Sequence, residues 1–157
     1  MANNTVPQHY FTCACGQGES PVSAHYLALA EAGLADRILL EARGFLPPGS
    51  ALQTPEKCTT KAEQRLFMAR IESATVGEVI SAAIAVAYPE NPHHGAPVIP
   101  VASTGHKEDI EAMARSQAQS AVEQRGDTVK EIQSLAVQVK VSQPSCALAC
   151  VVLTPSI

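Results

Sequence analysis

Glu41-Ala42-Arg43-Gly44-Phe45-Leu46-Pro47-Pro48-Gly49-Ser50 follows an apolar run, Ile38-Leu39-Leu40, that reads as a strand leaving a core. Two consecutive prolines stop it. Each proline fixes its own φ, offers no backbone donor and restricts the residue before it, so Leu46 and Pro47 are held extended. Whatever precedes the prolines is therefore presented in one stiff geometry. A bare Pro-Pro-Gly turn accounts for the same letters, and the rest of the chain decides between a turn and a site.

Outward from that corner the chain reads as alternating strands and helices. On the N-terminal side, Val6 to Cys15 is a strand and Gly16 to Glu19 a turn. Ser20-Pro21 opens a helix, with a serine cap and proline where its missing N–H costs nothing. Val22, Tyr26, Leu29 and Ala30 recur at helical spacing, which predicts Tyr26 on the core side, and Gly33 closes the helix. Arg37 to Leu46 reads as one strand. On the C-terminal side, Ala51 to Glu63 is polar and irregular, and Gln64 to Ser73 is a strand. Glu78 to Tyr88 is almost continuously apolar, rich in Val and Ile and ended by Pro89, which marks a central strand. Pro89 to Pro100 is a loop passing into an extended piece. Ser103 or Thr104 caps a helix whose stripe is Ile110, Met113, Ala114, Ala118, Ala121 and Val122. Glu108 and Asp109 lie in its first turn, and Gly126 ends it. Leu135, Val137, Val139 and Val141 alternate as a half-buried strand. Gln143-Pro144 then turns the chain into Cys146 to Leu153, read as its hairpin partner. Six or seven strands and two helices, with no repeat and no linker, predict a single α+β domain over residues 1–157.

Composition narrows the class. Of 157 residues, 46% are hydrophobic and 17% charged, enough apolar content for one proper core. The net charge of −4 comes without a basic cluster, so neither nucleic acid nor an anionic membrane surface is an expected partner. No apolar run approaches the roughly 20 residues of a membrane helix. Met1 to Gln8 has neither a basic region nor an apolar stretch of the signal-peptide kind. Five cysteines without a disulfide framework fit a reducing, cytoplasmic setting. Cys13 and Cys15 share one strand face, and Cys146 and Cys150 sit in an apolar strand. All four read as buried small side chains, and no metal site is expected. His93 and His94 are adjacent, point apart and read as loop residues.

No G-x-G-x-x-G, P-loop, H-E-x-x-H or G-x-S-x-G occurs. The order of segments nevertheless resembles the pyruvoyl-dependent arginine decarboxylase family. The residues that carry the resemblance are Gly18-Glu19-Ser20-Pro21, Leu46-Pro47-Pro48, Gly77-Glu78-Val79-Ile80-Ser81-Ala82-Ala83 running on to Tyr88-Pro89, Ile132 to Val137, and Cys146 to Cys150. The resemblance implies a four-layer αββα sandwich and a homotrimer with sites between neighbouring subunits. It also implies a cofactor made from the chain itself. In the family a serine just before the aliphatic-Pro-Pro element attacks the preceding carbonyl, and elimination leaves a pyruvoyl group that serves as electron sink. In this sequence the family's Ser-Ser pair falls on Arg43-Gly44, and glycine has no hydroxyl. The acid that reads a guanidinium falls on Tyr26, the asparagine that assists cleavage on Ile38, and the proton-donating acid near Ile99 or Pro100.

The expectation is a non-self-cleaving homologue with no cofactor. Arg43, Gly44 and Val22 are the candidate substrate-binding residues, and Tyr26, His25 and Glu19 the candidate catalytic ones. Arg43 can hold a carboxylate in bidentate fashion, and Tyr26 or His25 can move a proton. The reaction would be an elimination, isomerisation or cyclisation of a small carboxylate- or carbonyl-bearing molecule. The alternative is a non-catalytic ligand-binding trimer, or a subunit that assembles with a processed relative. The two part at Arg43: an arginine without a protein carboxylate partner favours ligand binding, and a salt-bridged one favours a scaffold.

Overall fold

The computed structural model describes residues 6–54 and 63–154. Cys58 and most of the polar stretch before Glu63 lie outside the described residues. Nine strands and two helices follow in the order β1 (Gln8–Gln17), α1 (Pro21–Glu31), β2 (Ile38–Glu41), β3 (Gly44–Leu46), β4 (Ala51–Leu52), β5 (Glu63–Ser73), β6 (Val79–Pro89), β7 (Ala96–Thr104), α2 (Lys107–Gln124), β8 (Val129–Lys140) and β9 (Ser145–Thr154). They form a five-stranded sheet, β2-β5-β9-β1-β4, and a four-stranded sheet, β3-β7-β6-β8.

Three apolar clusters fix the layers. Phe67, Ala69, Ile80, Ile84, Val86, Ala147 and Val151 meet between the sheets. Ala24, Ala28 and Leu29 of α1 cover Leu66, Leu148 and Val152 on the outer face of the larger sheet. Ile110, Ala114, Ala118 and Val122 of α2 cover Ala83, Ala85 and Ala87 on the outer face of the smaller. The layering is therefore helix, sheet, sheet, helix. β6 reads as continuously apolar because it lies between β7 and β8 with both faces covered, and residues 80–87 are fully buried.

Several elements differ from the sequence reading. Residues 37–46 form two strands in different sheets. β2 pairs with β5 in the larger sheet, the chain crosses at Ala42-Arg43, and β3 pairs with β7 in the smaller one. Gly44 takes φ +110 at the crossing, a conformation that side chains oppose. β9 is not the hairpin partner of β8. It lies between β1 and β5, while β8 pairs with β6, so Gln143-Pro144 carries the chain from one sheet to the other. The extended piece before the second helix is a full strand, β7, which pairs with β6 through Thr104 opposite Ile80. The helix cap consequently falls on His106, not Ser103 or Thr104.

The first helix shows why its face was misread. Ser20 caps it, its hydroxyl accepting from the Ser23 N–H at 3.1 Å. The buried stripe is Ala24, Ala28 and Leu29, whereas Val22 and Tyr26 point outward, 65% and 67% exposed. Gly16 of β1 explains the choice. A Cβ there would stand 2.2 Å from the Ala24 carbonyl oxygen and 2.6 Å from the Ala28 nitrogen. Where the helix passes Gly16 it approaches the sheet too closely for anything larger than Ala24 and Ala28; Leu29 packs inward beyond that point, and Val22 and Tyr26 are turned out.

Candidate functional site

One cavity opens at the β2–β3 crossing and a second borders the proline turn that follows β3. The first, about 350 Å³, opens where the chain crosses between sheets, and is walled by Glu41, Arg43, Gly44, Met68, Val98 and Pro100 among others. Glu41, the last residue of β2, and Arg43, just beyond it, both border this space. Arg43 is exposed and makes no ion pair or hydrogen bond among the described residues. A Cβ on Gly44 would touch nothing within 4 Å, so the positive φ, not crowding, holds this position to glycine.

Of the positions singled out from sequence, Arg43, Gly44 and Pro100 meet at this cavity. No residue of α1 lines it. His25 instead sits over β9 and β5. Its Nδ1 is 3.7 Å from Cys146 Sγ, and burial holds its imidazole below the usual range, with Arg70 acting in the same direction. Glu41 is near enough to oppose that shift. Tyr26 and Val22 face outward, and Glu19 stands just before the Ser20 cap. Within one subunit Val22, His25, Tyr26 and Glu19 are thus apart from Arg43-Gly44.

The second cavity, about 240 Å³, lies on the other side of the prolines and is lined by Pro47, Ser50, Tyr88, His94, Lys130 and Glu131 among others. Pro47-Pro48-Gly49-Ser50 closes on itself, with the Ser50 N–H donating to the Pro47 carbonyl at 3.1 Å and Gly49 at φ +79. That is a type II turn, with proline at its second position and glycine at its third. The turn delivers Ser50 to His9: Oγ lies 2.8 Å from Nδ1, and Nε2 lies 2.6 Å from the Tyr88 hydroxyl. His9 is fully buried, and burial pushes its imidazole down to about 4, so it is neutral at ordinary pH. Burial, with Glu131 adding to it, raises the Tyr88 hydroxyl above the phenol range. The chain of contacts ties β1, the corner and β6 together across the two sheets. His94 is likewise paired, 2.8 Å from Asp127. The imidazoles that border or underlie this second cavity are thus satisfied by protein partners, while Arg43 in the first has none among the described residues.

Sequence reasoning missed Glu41, whose alternation with Arg43 was the available signal. It also missed the His9–Ser50–Tyr88 chain, whose members are scattered along the sequence with no spacing to announce them. The burial read for the four cysteines is found at Cys146 and Cys150, while Cys13 and Cys15 are only half-buried. Cys13 and Cys15 pack against the inter-sheet core, and Cys146 and Cys150 are buried under α1. Burial pushes the thiols of Cys146 and Cys150 up to about 12, which makes both poor nucleophiles in the free protein.

A family profile described as pyruvoyl-dependent arginine decarboxylase (PvlArgDC) matches residues 8–156. The chain belongs to the pyruvoyl-dependent arginine decarboxylase family. The curated pyruvoyl-dependent arginine decarboxylase of Methanocaldococcus jannaschii is 30% identical over 137 residues, covering 87% of this chain and 83% of that one. The protein of the same name from Pyrococcus abyssi is 27% identical over 158 residues, covering 99% of each chain. That from Methanococcus maripaludis strain C7 is 26% identical over 152 residues, covering 97% of this chain and 91% of its own. The family is one of decarboxylases, which are lyases. Among the described residues no helix is long and apolar enough to cross a membrane.

Proposed function

We propose that this family member does not cleave itself, carries no pyruvoyl group, and uses the Arg43 cavity to bind a small carboxylate- or carbonyl-bearing molecule. The observation that carries the reading is the pair Arg43-Gly44. Gly44 offers no hydroxyl where the family resemblance puts the cleaving serine, and beside it stands a guanidinium with no partner among the described residues. A cation left free at a cavity wall is a waiting anion site, and the fork geometry of arginine suits a carboxylate. Glu41, which borders the same space, supplies a group able to take a proton from a carbon next to the bound carboxylate or carbonyl. Elimination, isomerisation or cyclisation needs no electron sink beyond that. Arginine decarboxylation needs one, and without the ketone labelled arginine releases no carbon dioxide.

The assembly that goes with this reading is a homotrimer. Ile38 and Leu40 on edge strand β2, Phe45 beside the crossing, and Val22, Tyr26 and Leu27 on α1 leave apolar surface exposed on the single subunit. Tyr26, His25 and Glu19 reach an Arg43 cavity only across such an interface. A non-catalytic ligand-binding trimer shares every feature except the proton transfer, and a Glu41→Gln variant separates the two.

The test is a titration of small mono- and dicarboxylates into the wild type, Arg43→Ala and Arg43→Lys. Charge-assisted hydrogen bonds contribute about 1.5–3 kcal/mol, so Arg43→Ala weakens binding roughly 10- to 100-fold. Arg43→Lys recovers only part, because the fork is lost. Unchanged affinity in Arg43→Ala with an unchanged melt returns the cavity to a structural feature of the crossing.

A further inference from the structure

Glu72 and Cys146 lie directly opposite each other on β5 and β9, and their side chains share the outer face of the larger sheet. His25 comes down on them from α1. One ligand atom from each of the three, the Cys146 sulfur, a His25 ring nitrogen and a Glu72 carboxylate oxygen, lies within 4.8 Å of the others. We propose that His25, Glu72 and Cys146 hold one divalent transition-metal ion of the zinc class, with a fourth position open to water or ligand.

The spacing suits such an ion. Zinc–sulfur and zinc–nitrogen bonds of about 2.3 and 2.0–2.1 Å at a tetrahedral angle put the two ligand atoms roughly 3.5 Å apart. Cys146 Sγ and His25 Nδ1 are 3.7 Å apart. Both are set by packed elements: Cys146 is buried in β9, and α1 is seated against β1 at Gly16. Glu72 is the adjustable member, since its side chain is one-third exposed and free to close the remaining distance.

The donor set sorts the candidates. Thiolate and imidazole favour zinc, cobalt or nickel and disfavour magnesium and calcium, which take oxygen. Three protein ligands with an open position is the arrangement of zinc sites that bind or activate a ligand, unlike closed structural sites with four. The charges agree. Glu72 and the nearby Glu41 face a single cation, Arg70, so a dication lowers the local imbalance. Arg70 stands 4.0 Å from Glu72 and is about half exposed, so it can leave the carboxylate to the metal. On binding, the metal–sulfur bond replaces the S–H bond and the proton passes to solvent.

The experiment is a titration of cobalt(II) into the reduced full-length protein, followed by absorption. One equivalent should produce a thiolate-to-cobalt charge-transfer band in the near ultraviolet and the visible bands of a four-coordinate ion, and zinc should displace both. Cys146→Ser should abolish the charge-transfer band. His25→Ala and Glu72→Gln should each weaken binding at least tenfold, and Glu72→Gln should leave the melt unchanged. If Cys146→Ser fails to fold, X-ray absorption of the wild-type zinc complex should show one sulfur scatterer beside nitrogen and oxygen. Absence of bands at stoichiometric cobalt overturns the proposal. So does a band that survives Cys146→Ser, or an affinity indifferent to both His25→Ala and Glu72→Gln.

Discussion

Gly16→Ala sets two effects against each other, and the structure says which wins. Gly16 does not need a positive φ, so alanine would restrict the unfolded chain and on that count stabilise the protein by about 0.4–1 kcal/mol. Against this, the new Cβ would stand 2.2 Å from the Ala24 carbonyl oxygen and 2.6 Å from the Ala28 nitrogen. Neither obstacle is a side-chain tip that can swing aside. Both are backbone atoms of α1, so the whole helix must retreat by about an ångström to reach ordinary contact. The retreat loosens Ala24, Ala28 and Leu29 from Leu66, Leu148 and Val152. Overpacking of this kind costs about 1–3 kcal/mol, and a backbone obstacle belongs at the upper end, so sterics outweigh entropy. In a chain of this size each kcal/mol moves the melting temperature by about 2–4 °C, so Gly16→Ala should melt roughly 4–10 °C lower. Gly33→Ala is the control. Nothing lies within 4 Å of its Cβ, and only the strain of φ +80 opposes it, worth about 1–2 kcal/mol. Thermal unfolding of both variants reads the difference. A Gly16→Ala protein that melts at or above the wild type refutes the close seating of α1.

Stability should also depend on His9. Its folded pKa lies near 4, against 6.5 for an ordinary histidine. The unfolded chain therefore binds the extra proton between those values. Stability from this group is complete above pH 6.5 and falls as the pH drops towards 4, by up to about 3 kcal/mol in all. Denaturant midpoints at pH 7 and 4.5 should differ less in His9→Asn than in the wild type, and equal differences would refute the assignment. Sedimentation equilibrium should give a trimer, and a stable monomer at micromolar concentration would overturn that assembly.

What could be read from the sequence was what repeats at short range. β6 announced itself by an almost continuous apolar run, α2 by the spacing of Ile110, Ala114, Ala118 and Val122, and α1 by its Ser20-Pro21 start. What could not be read was which sheet a strand joins. Residues 37–46 look extended throughout, and nothing local marks Ala42-Arg43 as the place where pairing passes from β5 to β7. The same holds at Gln143-Pro144, where two strands separated by a tight turn pack face to face without pairing. β7 was obscured by Pro97 and Pro100. The three-residue β3 covers only Ala96 to Val98, so at Pro100 the strand is an edge, where proline is tolerated. The resemblance led to Arg43 and Gly44, and the structure shows them walling one cavity. Tyr26 was expected inside on the strength of its spacing, but the close approach at Gly16 puts Ala24 and Ala28 against the sheet and turns Tyr26 outward. Glu41 stands out only once the crossing is seen to place it beside Arg43 in the wall of one cavity.

The central claim is that the chain keeps the family scaffold without making the family's ketone. Intact-mass measurement of the purified protein, before and after reduction with cyanoborohydride in the presence of ammonium, tests it most directly. The account predicts a single species near 16.5 kDa, unchanged by the treatment. Two fragments divided between Arg43 and Gly44, the larger gaining mass on reductive amination, would contradict it.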